Sequence, residues 1–146
     1  VSWLVDTNIL SELRKGDRAH ERIRAWFTDA REDELYTSVL VLGEVRRGIE
    51  SIRRRDVPSA LALEQWLVRL TTSFNDRVLP VDAEVADRWG ALNVPDPVPT
   101  VDGLLAATAL VHDLTLVTRN VRDVAGTGVR LLDPTVRHQG CVRRAP

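Results

Sequence analysis

Residues 2–13, SWLVDTNILSEL, change their hydrophobic period within twelve positions. SWLV (2–5) is a short apolar run that stops at Asp6, and TNILSELRK (7–15) places Ile9, Leu10 and Leu13 on one side of a helix. A strand that delivers the chain directly into a helix, with an acid at the junction, is the opening unit of an α/β fold. The same grammar recurs outward from it. Leu35 to Thr37 predicts a second strand, and Ser38 then caps a helix whose Leu42, Val45, Ile49 and Ile52 fall three and four apart. RVLPV (77–81) precedes a helix begun by Asp82, LTLVT (114–118) precedes the brief piece NVRDV, and VRLL (129–132) is the last strand. Helices fill the intervals. Residues 19–30 carry Ile23, Trp26 and Phe27, and residues 59–73, set off by the arginine run and Pro58, carry Leu61, Trp66, Leu67 and Leu70. VPDPVP (94–99) ends the helix begun at Asp82, and 101–112 is a helix of small residues. Short apolar strands alternating with helices imply an α/β sandwich, its short-stranded and mainly parallel sheet flanked by helices.

The bulk properties bound the function. A chain of 146 residues, 44% hydrophobic and 28% charged, is one domain with a sizeable core, read as residues 1–134 followed by a loosely held tail, 135–146. No window is apolar enough for a membrane span, and the N-terminal VSWLVDTN has no basic leader or long apolar stretch, which reads as no signal peptide. One cysteine, Cys141, permits no internal disulfide, so a reducing cytoplasm is the expected home. Twenty Lys and Arg against 21 Asp and Glu exclude a globally basic nucleic-acid binder. Contact with a nucleic acid must therefore use local patches: Arg14 with Lys15, Arg46 with Arg47, Arg53 to Arg55, or Arg143 with Arg144.

In open parallel sheets ligands bind beyond the carboxyl ends of the strands, so acids near those ends carry the functional argument. Asp6 ends the first strand, Glu44 lies about two turns into the helix after the second, Asp102 opens a helix and Asp123 follows LTLVT. Each has an ordinary role available. Asp6 can cap the first helix, Glu44 can pair with Arg47, Asp102 can favour the helix dipole behind a Thr100 cap, and Asp123 can pair with Arg119 or Arg122. Asp82 and Asp133 are accounted for by a cap and an Asp-Pro turn. Drawn together, the first four would repel one another and raise their own pKa values, a cost that Mg²⁺ or Mn²⁺, which prefers oxygen ligands, would offset.

Four segments in order, LVDTN (4–8), SVLVLGEVRRGI (38–49), VDGLLAATALVHDLTLVTRNVRDV (101–124) and TGVRLLDP (127–134), resemble the PIN domain, and most of all the VapC-type ribonuclease toxins of bacterial toxin-antitoxin pairs. The resemblance runs from about residue 2 to 134 and implies a three-layer α/β/α sandwich. It matches Asp6, Glu44, Asp102 and Asp123 to the acidic positions of the family's Mg²⁺ site, with Mn²⁺ as a substitute, and Thr7, Asn8, Thr118 and Asn120 to the polar positions beside the first and last acids. Val124 departs from the pattern, since an aromatic often follows the last acid; Asp123 is thereby moved toward acting through a bridging water.

Phosphodiester hydrolysis needs an activated water and neutralised phosphoryl oxygens, which divalent ions supply. On this reading Asp6 and Asp102 bind the ion most directly, Glu44 positions a second ion or the attacking water, and Asp123 completes the ring. Cleavage leaves a 5′-phosphate and a 3′-hydroxyl. A metal-free ribonuclease would want a positioned acid and base, but His20, His112 and His138 are scattered over a surface helix, a helix end and the tail. The rivals are a metal-dependent phosphatase, disfavoured because position 8 is Asn and no phosphate-binding glycine loop is present, and a non-catalytic metal- or protein-binding module of the same fold. The expected partners are an RNA substrate such as tRNA or rRNA and, by the resemblance, a VapB-like antitoxin that covers the acidic site and a second toxin copy in a homodimer or hetero-oligomer. Trp26, Phe27 and Trp66 offer either a groove for a partner helix or core packing.

Overall fold

The computed structural model describes residues 1–137. Its five strands are β1 (Trp3–Val5), β2 (Leu35–Ser38), β3 (Val78–Leu79), β4 (Thr115–Val117) and β5 (Leu131–Leu132), in the order β3-β2-β1-β4-β5. Every pairing is parallel. Among the described residues there are seven α-helices: α1 (Thr7–Leu13), α2 (Glu21–Asp29), α3 (Val39–Arg53), α4 (Val57–Phe74), α5 (Ala83–Leu92), α6 (Thr100–Val111) and α7 (Val121–Val124). The whole is an α/β/α sandwich.

The strand order decides where a ligand can sit. From β1 the chain steps to β2 and on to β3, then returns past β1 to β4 and β5. Parallel crossovers are right-handed, so this reversal puts α1 to α4 on one face and α5 and α6 on the other. The packing agrees: α1 meets α2 and α3, α3 lies along α4, and α5 lies along α6. Between β1 and β4 the connections part to opposite faces, which leaves a crevice at the carboxyl ends of those two strands.

The middle of the sheet is apolar on both sides. Leu4, Val5, Leu116 and Val117 are buried, as are Ile9, Ile23 and Val41 from the first helices and Leu105, Ala106 and Ala109 of α6. The small residues of α6 let its backbone lie close to its neighbours. Gly103 shows why: a Cβ there would stand 3.2 Å from the Trp89 indole of α5 and 3.4 Å from Val98.

Several elements differ from the sequence reading. RVLPV pairs only through Val78 and Leu79, because Asn75–Arg77 forms a 3₁₀ turn and Pro80 has no N–H for a ladder. VRLL pairs only through Leu131 and Leu132. Thr100 does not cap α6: it is the first helical residue, behind Pro99, which makes no side-chain cap bond. Trp26 is half-buried, packed edge-on against Trp3 at 5.7 Å, and Trp66 is half-buried against the core, whereas Phe27 is exposed. The Nδ1 of His20 accepts the Arg22 N–H and caps α2, and His112 caps the end of α6. Thr135 is held by Asp133 and by the Arg22 guanidinium. His138, Cys141, Arg143 and Arg144 lie outside the described residues. No helix among the described residues is long and apolar enough to cross a membrane.

Candidate functional site

Asp6 is the first residue beyond β1, its backbone N–H bonded to the Val117 carbonyl of β4 at 3.0 Å, so it sits at the seam between the two central strands. It is only 4% exposed. One carboxylate oxygen, Oδ1, accepts the Thr7 N–H at 2.6 Å, which makes Asp6 the N-cap of α1 as the ordinary reading had it. The other, Oδ2, accepts the Thr118 hydroxyl at 2.7 Å and the Asn8 amide at 3.3 Å. Thr118, the first residue beyond β4, is fully used: its oxygen donates to Asp6 and accepts from Asn8 Nδ2 at 3.1 Å and from the Asn120 N–H at 3.0 Å. Asn8 closes the link by accepting the Arg119 N–H on Oδ1 at 3.2 Å. The carboxyl ends of β1 and β4 are thus fastened together by side chains. Asn120 takes part through its backbone N–H, and its side chain makes no cap bond to α7.

The remaining acids arrive from both faces of the sheet. α3 brings Glu44, whose Oε1 accepts the Thr7 hydroxyl at 2.7 Å. Among the described residues it forms no ion pair with Arg47, and Asp123 forms none with Arg119 or Arg122; Arg119 instead approaches Glu12 at 3.8 Å. From the other face α6 brings Asp102 in its first turn, and exposed Asp123 lies in α7, anchored by buried Val124. The four acids form one electrostatic cluster. Burial, and then the facing charges of Asp6, Asp123 and Glu44, push the Asp102 carboxyl up to about 6. Burial also raises Asp6, opposed by its bonds from Thr118 and Thr7 and reinforced by Glu44.

Among the described residues none of these four carboxylates has a basic partner. The donor set suits a hard divalent cation, which takes oxygen ligands and removes the mutual repulsion. As placed, no three His, Cys, Asp or Glu side chains among the described residues form a ready-made cage for an ion. That spacing follows from the bonds above. Glu44 leans on Thr7, both oxygens of Asp6 accept hydrogen bonds, and like charges repel. The sequence reading overlooked Trp89 and Gly103, which seat α5 against the first turn of α6 and so hold Asp102 in position. Their signal was a glycine inside an otherwise regular helix.

A doubly wound parallel domain with a group of mutually facing carboxylates at its switch point defines a class of domain that gathers negative charge at one edge of the sheet. Residues 3–125 match the family model described as the PIN domain, and the chain belongs to that family. It is 29% identical over 138 residues to Toxin FitB of Neisseria gonorrhoeae, covering 90% of this chain and 96% of that protein. It is 28% identical over 141 residues to VapC ribonuclease Y4jK of Sinorhizobium fredii, again covering 90% and 96%. The crystal structure of FitAcB from Neisseria gonorrhoeae superposes with a TM-score of 0.83 at 27% identity, over 90% of this chain and 97% of that one.

Proposed function

We propose that this chain is a divalent-metal-dependent endoribonuclease and the toxin of a toxin-antitoxin pair. The observation that carries the reading is the Asp102 carboxyl, held at about 6 among Asp6, Glu44 and Asp123 with no basic side chain to neutralise them. The names of the relatives, a VapC ribonuclease and the toxin FitB, point the same way. Asp6 and Asp102 would hold Mg²⁺, or Mn²⁺ in its place, with Asp123 completing the ring through a bridging water. When bound, such an ion neutralises charge on the phosphoryl oxygens and lowers the pKa of a water.

The chain's own groups do the positioning. Thr118 and the Thr7 amide favour the ionised form of Asp6 and fix its orientation. The Thr7 hydroxyl holds one oxygen of Glu44 and leaves the other free to take a proton from the attacking water. Asn8, bonded on both sides, keeps the floor of the pocket rigid rather than touching phosphate. The substrate is RNA, of tRNA or rRNA type, and its cleavage arrests translation in the cytoplasm. The partners are a VapB-like antitoxin, a reading supported by the likeness to FitAcB and to FitAB bound to a DNA fragment, the latter at a TM-score of 0.83 and 25% identity, and a second copy of the chain.

Purified protein incubated with structured and unstructured RNA, with Mg²⁺, Mn²⁺ or EDTA, tests the activity. Metal-dependent cuts bearing 5′-phosphate and 3′-hydroxyl ends are expected; 2′,3′-cyclic phosphate ends, or equal cleavage in EDTA, would sink the mechanism. For the toxin role, a short open reading frame beside this gene whose product co-purifies with the chain is the expected observation.

A further inference from the structure

An acidic pocket repels the very polyanion it would cut, and a chain with a net charge of −1 cannot make up the deficit by overall attraction. The substrate's phosphates need a positive anchor elsewhere. On the helices that carry Asp6 and Glu44 there is a cleft of about 500 Å³ where the end of α1 meets the α3–α4 hairpin, lined by Arg14, Arg55, Arg69, Trp66, Asp56 and Ser59. Among the described residues Arg14, Arg55 and Arg69 form no ion pair. The cleft's one acid, Asp56, is bound to the Ser59 amide and hydroxyl as the cap of α4. Neighbouring arginines are treated differently. Arg46 and Arg53, on the other face of the hairpin, are neutralised by Glu50 and Glu64.

We infer that the Arg14, Arg55 and Arg69 cleft binds backbone phosphate of the RNA substrate at a distance from the scissile bond, with Trp66 as an apolar wall for a base or ribose. The inference rests on the ribonuclease reading above and adds the site that makes RNA binding favourable. Guanidinium groups match phosphate oxygens bidentately, and a basic groove with an aromatic wall is the general solution for single-stranded nucleic acid. The distance suits one strand. Arg14, the C-cap of α1, lies eight residues beyond Asp6, its N-cap, and Ile52, also lining the cleft, lies eight beyond Glu44 on α3. At ~1.5 Å per helical residue that is about 12 Å, a span that a few nucleotides of one strand cover.

The test uses the full chain and a fluorescein-labelled single-stranded oligoribonucleotide. Binding is measured in EDTA over a salt series, and cleavage is measured with Mg²⁺. In the triple variant R14Q/R55Q/R69Q the RNA Kd is expected to rise about tenfold or more, and the slope of log K against log salt to fall by ~0.7 for each arginine lost. KM should rise while kcat at saturating RNA stays within about twofold, because no atom of the cleft touches the reacting phosphate. The R14K/R55K/R69K variant should restore the slope, and its failure to do so overturns the proposal. If the glutamine triple does not fold, R69Q alone on the exposed side of α4 should still lose ~0.7 of slope. A wild-type chain that cleaves RNA beside a variant that binds it equally well overturns this inference alone. A variant that binds RNA like wild type but no longer holds a co-expressed protein partner also overturns it and assigns the cleft to that partner. A wild-type chain that neither binds nor cleaves RNA overturns the ribonuclease reading itself.

Discussion

Two parts of this molecule hold clusters of charge, and they treat it in opposite ways. On the outer face of the α3–α4 hairpin, Glu64 Oε1 meets Arg46 at 2.6 Å and Arg53 at 2.5 Å, while Glu50 meets the same two arginines at 3.2 and 3.1 Å. Every charge there has an opposite within reach, and the carboxylates titrate below their usual range because of those bonds. At the crevice between β1 and β4 the acids face one another, and Asp102 is pushed up to about 6. A folding chain that could pair charges in one place left four carboxylates unpaired in another. The first region balances its charges within the fold; the second holds like charges near one another with no basic partner among the described residues.

The largest expected effect breaks the crevice. Asp102→Asn removes the acid that faces all three others, and metal-dependent RNA cleavage should fall by more than about 100-fold with the fold intact by circular dichroism. Cleavage retained within a few-fold would leave the cluster without a catalytic role. Thr118→Val comes next. The hydroxyl donates to Asp6 and accepts from Asn8 and Asn120, so its loss leaves Asp6 Oδ2 with the Asn8 amide alone and the Asn120 N–H without its acceptor. Cleavage should drop about 10- to 100-fold, and stability by about 1 to 3 kcal/mol, as read by denaturant unfolding. A change in stability without a change in activity would reduce Thr118 to a structural tie.

How much of this was legible in the sequence depends on the range over which each signal acts. The β1–Asp6–α1 junction was readable because the period changes and the acid appears within a dozen residues, and the Ser38 cap of α3 is equally local. The edge strands were overdrawn: apolar runs such as RVLPV and VRLL show burial, but their paired length is set by neighbouring strands and by Pro80. The ordinary local alternative for Glu44, a pair with Arg47 three residues on, does not form; its bond is with Thr7, 37 positions earlier. Thr100 failed as a cap because Pro99 already occupies that position. The meeting of Asp6 with Asp102 follows only from the strand order β3-β2-β1-β4-β5, which no single segment encodes. Trp89 against Gly103 is likewise invisible without α5 laid on α6.

The comparison also predicts opposite responses to pH. Asp102 has its folded pKa raised from 3.8 to about 6, so the folded state binds its proton more tightly than the unfolded chain does. Stability supplied by that proton is present below about pH 4, is lost as pH rises toward 6, and is absent above it. In EDTA the wild type should therefore be less stable at pH 7.5 than at pH 5, by about 1 to 2 kcal/mol from this group after solvent screening. Asp102→Asn should flatten that part of the profile and raise stability at pH 7.5. Added Mg²⁺ should stabilise the wild type at pH 7.5 by mass action and the variant much less.

The smallest effect belongs to the paired region and serves as the control. Glu64→Gln takes the shared anion from Arg46 and Arg53, but all three side chains are partly open to water, with 29 to 46% of their area exposed. Water and Glu50 can take over the two guanidiniums, so the melting temperature should move by no more than about 2 °C. RNA cleavage should be unchanged, and the sensitivity to pH between 4 and 6 that Asp102 confers should persist. Glu44→Gln, at the other end of the exposed-to-buried gradient along the same helix pair, removes a like charge instead of a partner. Metal-free stability at pH 7.5 should then hold or rise while cleavage falls. If both glutamates behave alike, by losing stability and keeping activity, the unpaired acids are ordinary surface charge and the contrast between the two regions is empty.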